Sequence, residues 1–336
     1  MAPRRWRRPA MSGHPYDALG PDTVIDAVES AGFRSDARLL ALNSYENRVY
    51  QVGLEEATPL IAKFYRPGRW SREQILEEHA FSLALAEAEV SVVAPLVDAS
   101  GNSLHSHHGL QFALFERRGG YPPELDNPEH LLVLGRTVGR IHAVGRSARF
   151  RARPQLDPLA LVADSRATVL DGFLPGELRP AYESLVDDIA RCLEPLCAEI
   201  GDDDRIRVHG DCHVGNILWR DGLPHFVDLD DCLQAPAVQD LWMFLSGERH
   251  EQELQLAELV AGYEEFCDFD PRQLRWVEAL RSLRILRYAA WLARRWDDPA
   301  FPRAFPWFNS ARYWSDHVLE LREQFAHLQE PPLRLL

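Results

Sequence analysis

The residues Val208 to Asp231, VHGDCHVGNILWRDGLPHFVDLDD, decide how the chain is read. An apolar strand end gives way to a polar loop, and a short strand follows from Asn216 to Trp219. Asp221-Gly222 supplies a turn, and a second strand returns to end in acids. Asp211 and Asn216 stand five positions apart, and Asp228 closes the returning strand. That order suits phosphoryl transfer. One carboxylate orients and deprotonates a hydroxyl, an amide oxygen takes magnesium, and a second carboxylate takes magnesium. Two other readings compete. His209, Asp211 and His213 alternate as metallohydrolase ligands do, but zinc sites draw further ligands at helical or CxxC-type spacing, and the sequence offers none. A plain solvated hairpin also carries acids at its turn, yet it has no need of His-Gly-Asp-x-His-x-x-Asn ahead of Asp-Leu-Asp.

Outside this stretch, composition narrows the class. The 336 residues suffice for two ordinary domains or one bilobal enzyme, and 46% hydrophobic content is that of a globular chain. A formal net charge of -14 disfavours nucleic acid as a partner, because phosphate backbones want clustered positive charge. Five cysteines (Cys192, Cys197, Cys212, Cys232, Cys267) in no metal spacing suggest a reducing cytoplasm rather than a disulfide framework. No apolar run is long enough to span a bilayer. The basic start MAPRRWRRPA has no apolar core after it, so it does not read as a secretory signal; residues 1–13 are expected to form a disordered extension, with Met11 a candidate start. Lys63 is the only lysine; every other basic residue among the 37 Lys and Arg is arginine. The two are nearly exchangeable on a surface but not where a compact ammonium must reach phosphate oxygens, so Lys63 is a functional candidate.

Along the chain, Pro21 to Ser30 has helical spacing, and Arg38–Leu42, Arg48–Leu54 and Leu60–Tyr65 read as strands, the third carrying Lys63. A helix from Ser71 to about Ala88 is expected, with Ser71 and Gln74 as a capping box. Glu78 is expected to pair with Lys63, and Glu77 to face solvent. Strands are expected near Ser91–Ala99 and Leu110–Phe115, the second an edge strand running into Glu116-Arg117-Arg118-Gly119-Gly120. That Gly-Gly suits a hinge whose backbone, at Glu116, hydrogen-bonds adenine. Helical patterns then run from Asn127 to Gly145, Gly176 to Ile200, Ala237 to Leu245, Glu251 to Phe266, Pro271 to Trp296 and Ala311 to Leu328. The arginines from Arg146 to Arg153 read as a solvated loop, and the aromatics Trp276, Tyr288, Trp291, Trp296, Tyr313 and Trp314 as core packing.

A sheet-rich part with lysine and glutamate, a hinge, and a helical part with Asp, Asn and Asp resemble a kinase in order of parts. Leu-Ile-Ala-Lys (residues 60–63) is similar to the V-A-I-K strand, and the Asp211-to-Asn216 spacing equals that of H-R-D-L-x-x-x-N. HGDCHVGN (209–216) and Asp228-Leu229-Asp230 resemble the aminoglycoside phosphotransferase and choline kinase branch instead. NSYENRVYQV, LIAKFYRPGRWS, QILEEH, FVDLDD, PAVQDLWM, ARRWDDPAFP and LQEPPL narrow the resemblance to the bacterial stress-response kinase A group, from about residue 14 onward.

The resemblance implies an α+β, bilobal protein-kinase-like fold. Residues 14–118 would form an N-lobe of small antiparallel sheet plus one helix, and 119–336 a mainly helical C-lobe with the catalytic hairpin. It implies a cytoplasmic, ATP- and Mg2+-dependent serine/threonine protein kinase, monomeric, acting on protein hydroxyls and on itself, with a role under envelope, oxidative and antibiotic stress. Asp211 would orient the acceptor hydroxyl as base, Asn216 and Asp228 hold magnesium, and Lys63 with Glu78 steady ATP. Ser44 would lie over the phosphates, although the 43–48 loop lacks the family's glycines. Asp240 would hydrogen-bond back to the catalytic loop. A kinase for amino-alcohol or hydroxylated metabolites is the alternative, and an ATP-binding pseudokinase scaffold the third reading.

Overall fold

The computed structural model describes Tyr16 and residues 18–336; the extension expected at residues 1–13 lies outside them. The chain divides into two compact units. One holds the described residues up to Ser71 together with Leu96–Arg117, and the other holds Arg72–Pro95 and Arg118–Leu336. The sequence reading cuts the chain once, near residue 118. The units also exchange residues 72–95, because Phe81, Leu85 and Val90 are buried in the second unit's core.

In the first unit, helix α1 (Pro21–Ser30) buries Val24 and Val28, as its spacing predicts, together with Ala27, while Ile25 is half-buried. Five antiparallel strands follow: β1 (Ser35–Ala41), β2 (Arg48–Leu54), β3 (Ala57–Phe64), β4 (His105–His107) and β5 (Leu110–Glu116), in the order β1-β2-β3-β5-β4. Alternation sorts β3 cleanly: Leu60, Ala62 and Phe64 join the core with Phe112 and Leu114 of β5. Phe64 and Phe112 face each other with ring centroids 5.3 Å apart, a pairing that adds about 0.5–1.5 kcal/mol beyond its burial.

The strand expected over Ser91–Ala99 is absent; that run is a strap. Ser91 and Val93 exchange hydrogen bonds with Phe226 in the second unit, while Leu96 N–H donates to Leu114 O in the first. The backbone groups of one short segment are thus satisfied in two places, and no continuous ladder forms. The three-residue β4 pairs instead with β5, so β5 is interior and not an edge.

The second unit is mostly helical: α2 (Arg72–Glu87), α3 (Pro128–Arg146), α4 (Pro158–Leu170), α5 (Arg179–Glu199), α6 (Val238–Leu241), α7 (Arg249–Tyr263), α8 (Val277–Arg294), α9 (Ala300–Ala304) and α10 (Ala311–His327). Asn127 caps α3 by accepting Glu129 N–H, and Ser310 caps α10 by accepting Tyr313 N–H. Helix α4 was not expected. Its buried residues include Ser165 beside Val162 and Val169, so no continuous apolar stripe announces it. Between α5 and α6 lie β6 (Ile206–Val208), β7 (Ile217–Arg220), β8 (Leu223–Phe226) and β9 (Leu233–Ala235), paired β6 with β9 and β7 with β8. Asp221 and Gly222 both have positive φ and join Arg220 to Leu223, which is the two-residue hairpin turn that Asp-Gly prefers.

The Gly119-Gly120 pair is more than a flexible joint. Tyr121 and Trp219 exchange two backbone hydrogen bonds of 3.1 and 2.7 Å. A Cβ on Gly120 would stand 2.7 Å from the Leu218 carbonyl carbon, so the close approach of these segments requires glycine there.

Candidate active site

Strands β6 and β9 fix the two ends of the segment quoted first. Val208 pairs with Leu233, and everything between loops out and returns. Within it, β7 and β8 register Ile217 against Phe226, and Val227 N–H donates to Asn216 O at 3.0 Å. The hairpin therefore delivers Asp228 to the position next to Asn216's strand partner. A separation of twelve residues in sequence becomes a neighbourhood. Asp228 itself is exposed and left-handed (φ 59°), turning the chain into a short 3-10 turn over Leu229–Asp231.

His209 is fully buried and acts as a brace. Its Nδ1 accepts Asp211 N–H at 3.4 Å, which leaves Nε2 to donate to Val227 O at 2.9 Å. The same ring thus joins the loop before Asp211 to the residue before Asp228, and is no metal ligand. Gly210 is held on both sides by α6: Gln239 Nε2 donates to its carbonyl at 2.9 Å, and its N–H donates to Asp240 Oδ1 at 2.8 Å. Gly210 has φ +86°, and a Cβ there would collide with the Asp231 carbonyl. Gly210→Ala is expected to destabilise the protein by about 3 kcal/mol, from left-handed strain plus overpacking, measured as a urea-unfolding midpoint. A midpoint within error of wild type would refute the strain argument.

Asp240 is the anchor below this loop. Buried completely, it accepts from His209 N–H at 2.7 Å, Gly210 N–H at 2.8 Å and His142 Nε2 at 3.0 Å. His142 in turn contacts Tyr263 OH at 3.0 Å, so α3 and α7 are tied to the loop through one carboxylate. The hydrogen bond expected from Asp240 back to the loop is present.

Asp211 receives donors on both oxygens. Arg284 of α8 reaches Oδ1 at 2.6 Å, while His213 Nε2 and Asn216 Nδ2 lie 3.3 and 3.4 Å from Oδ2. His213 Nδ1 accepts Gly215 N–H at 2.9 Å, which places its proton on the nitrogen facing Asp211. Burial pushes the Asp211 carboxyl up, but the His213 hydrogen bond and the Arg284 charge prevail and hold it far below the usual carboxylate range. Asn216 also donates from Nδ2 to Asp211 O at 3.0 Å. That fixes its amide, and Oδ1 takes no hydrogen bond among the described residues.

The remaining expected site residues divide between the units. In the first, Lys63 sits on β3 between Val49 and Ala113, on the face opposite the apolar core, its Nζ 5.0 Å from the Tyr65 ring. It is 6% exposed, so its ammonium is not a surface charge. Ser44 Oγ donates to Asn47 O at 3.1 Å, and Asn47 Oδ1 accepts Arg66 N–H at 3.1 Å. The loop without glycines is thus braced internally by side chains. Glu116 is the last residue of β5 and is exposed. In the second unit Glu78 is buried on α2; burial first, and the Glu78 charge to a lesser degree, push the Cys232 thiol up.

Several features escaped sequence reading. Glu77 does not face solvent: its carboxylate accepts the N–H groups of Arg151, Ala152 and Arg153 at 2.7–2.8 Å. Burial pushes it up, yet the three donors hold it below its ordinary value. Gln74 of the same helix also reaches this segment, donating to Ala152 O at 3.0 Å. The arginine run is therefore no free loop. Arg153 is buried, and its guanidinium donates to the carbonyls of Cys232 and Asp230 behind the Asp-Leu-Asp segment. Arg284 lies 73 residues from Asp211 in sequence, and nothing local marks it. Tyr288, expected in the core, is 44% exposed.

The chain matches the phosphotransferase enzyme family over residues 38–277. It is 45% identical over 325 residues to stress response kinase A of Escherichia coli K12, covering 96% of this chain and 98% of the relative. The chain belongs to the phosphotransferase enzyme family, in its stress response kinase A group. It is 42% identical to the serine/threonine protein kinase RdoA of Salmonella typhimurium, covering 95% and 97% of the two chains. Among solved structures, an amicoumacin kinase, hAmiN, in complex with AMP-PNP and Ca2+ superposes with TM-score 0.71 at 18% identity, covering 91% of this chain and 93% of that one. A microcompartment-associated aminopropanol kinase superposes with TM-score 0.69 at 19% identity, covering 93% and 99%. The resemblance read from HGDCHVGN and its companion segments is borne out, as is the α+β fold. The phosphotransferase has no helix, among the described residues, long and apolar enough to cross a membrane.

Proposed function

We propose that this phosphotransferase is a cytoplasmic serine/threonine protein kinase of the bacterial stress response that transfers the ATP γ-phosphoryl to protein hydroxyls, its own included. The observation that carries this reading is 42–45% identity over nearly the full length to proteins named stress response kinase A and serine/threonine protein kinase RdoA. The small-molecule kinases among the structural neighbours share 18–19% identity, which speaks for the fold alone.

Asp211 takes the acceptor hydroxyl as a hydrogen-bond donor and aligns it for attack. A carboxylate held so far below its usual range is a weak base, so the proton passes to it late, as the new oxygen–phosphorus bond forms. Asn216 and Asp228 are assigned to the metal. The donor set is hard oxygen: an amide oxygen with its nitrogen committed to Asp211, and an exposed carboxylate at a strand end. Two protein ligands of this type suit Mg2+, which keeps several waters, better than zinc. When bound, Mg2+ supplies charge neutralisation of the phosphate oxygens. Ser44, Lys63, Glu78 and Glu116 are assigned to the nucleotide, with Lys63 as the phosphate grip that its singularity and burial support.

Label transfer from γ-labelled ATP to casein-like proteins and to the enzyme itself, beside a panel of amino alcohols, tests the reading. Label on metabolites alone overturns it. Asp228→Ala is expected to weaken nucleotide binding at least tenfold with magnesium present and little without it, read by calorimetry. Equal losses in both titrations would remove Asp228 from the metal.

A further inference from the structure

We propose that Arg284 and Arg287 of α8 make the acceptor side of Asp211 a reader of negative charge, so that the preferred acceptor is a protein Ser or Thr with an acidic side chain close by. The inference rests on the protein-kinase reading and names the kind of segment that reading leaves open.

Both oxygens of Asp211 are occupied, but unequally. Oδ2 faces His213 and Asn216, members of the same loop, and among the described residues Oδ1 faces Arg284 alone, at 2.6 Å. The oxygen open to an incoming hydroxyl is therefore the one the guanidinium touches, and any acceptor must pass that group. Arg284 is surface-mounted, its side chain 46% exposed and steadied by the Met243 sulfur at 3.6 Å, so it can exchange partners. Arg287, Tyr288 and Trp291 continue the same helix face at three, four and seven residues on. Arg287 is exposed and makes no hydrogen bond or ion pair among the described residues, while Tyr288 stacks on Trp291 with centroids 5.9 Å apart. The one acid of α8, Glu278, lies at the helix's far end and is engaged by Arg281 and Gln324.

A positive and aromatic stripe beside the catalytic carboxylate runs against a chain whose formal charge is -14. An ammonium a few bonds from the reacting hydroxyl, as in an amino alcohol, would be set against Arg284. A carboxylate near the hydroxyl does the opposite. It takes over the guanidinium, keeps that charge paired, and uncovers Oδ1 for the hydroxyl proton.

Three synthetic peptides with one Ser each, flanked by Asp/Glu, by Ala/Gln or by Lys/Arg, test this with wild type, Arg284→Gln, Arg284→Glu and Arg287→Gln. Wild type is expected to favour the acidic over the basic peptide by about tenfold or more in kcat/KM, and Arg287→Gln to narrow that ratio. Arg284→Gln should bring the ratio near one and Arg284→Glu should invert it, which a merely structural role cannot do. Equal kcat/KM for all three peptides, or a preference untouched by Arg284→Glu, overturns the inference and leaves the protein-kinase reading standing. An enzyme that labels amino alcohols but none of the peptides overturns that reading, and the inference with it.

Discussion

Asp211→Ala is expected to lower turnover by about two orders of magnitude or more while ATP affinity stays near wild type. The partners of Asp211 are His213, Asn216 and Arg284, all within its own unit, so its loss strips the acceptor of its alignment. The pair of measurements is label transfer per enzyme and nucleotide calorimetry on the same preparation. Undiminished turnover would remove Asp211 from the chemistry. The depressed carboxyl adds a pH signature. A group whose folded pKa lies below its unfolded value contributes stability that is present above the unfolded value and lost as pH falls through the folded one. The stability difference between wild type and Asp211→Asn should therefore hold steady near neutrality. It should move against wild type only as pH drops below about 4, the ordinary Asp range. Urea midpoints at several pH values read this directly, and a shift in wild type's favour toward acid would contradict the assignment.

Asp240→Ala should be the most destabilising single change in the loop's support, costing about 4 kcal/mol. Three buried donors converge on that carboxylate, and truncation leaves the N–H groups of His209 and Gly210 without an acceptor in a fully buried site. Against a typical total of about 5–15 kcal/mol, the loss is a large fraction of folding stability. Asp240→Asn is instructive because it keeps shape but turns an NH2 toward donors, so it should recover little. A denaturation midpoint corresponding to less than about 1 kcal/mol for Asp240→Ala would show that the loop holds itself. Activity should fall in the same variant, because Asp240 holds His209 and Gly210, the two residues that lead into Asp211.

Where the sequence reading succeeded, local chemistry and long-range role coincided. Asp221-Gly222 demands a tight turn wherever it occurs between strands, and the turn alone brings Asp228 back to Asn216. Pro128 after Asn127 starts a helix as expected, and Asn127 caps it. The reading failed where an apolar or charged run is ambiguous by itself. Ser91–Ala99 has a strand's composition but divides its hydrogen bonds between Phe226 and Leu114. Glu77 is written like any helix-surface acid, and only the arrival of Arg151–Arg153 turns it into a clamp.

The amino-acid sequence by itself determined the kind of chemistry: Asp, Asn and Asp at hairpin spacing, and one lysine on a strand in a chain that otherwise uses arginine. Those features are local, fixed by turn geometry and residue type, and need no partner to be legible. Tertiary structure alone decided what surrounds the Asp211 carboxylate. Asp240 under the loop, Arg153 behind Asp-Leu-Asp and Arg284 against Asp211 come from segments 30 to 77 residues away. Their effects depend on burial and on distances of about 3 Å, where charges and hydrogen bonds act strongly and sequence separation carries no information.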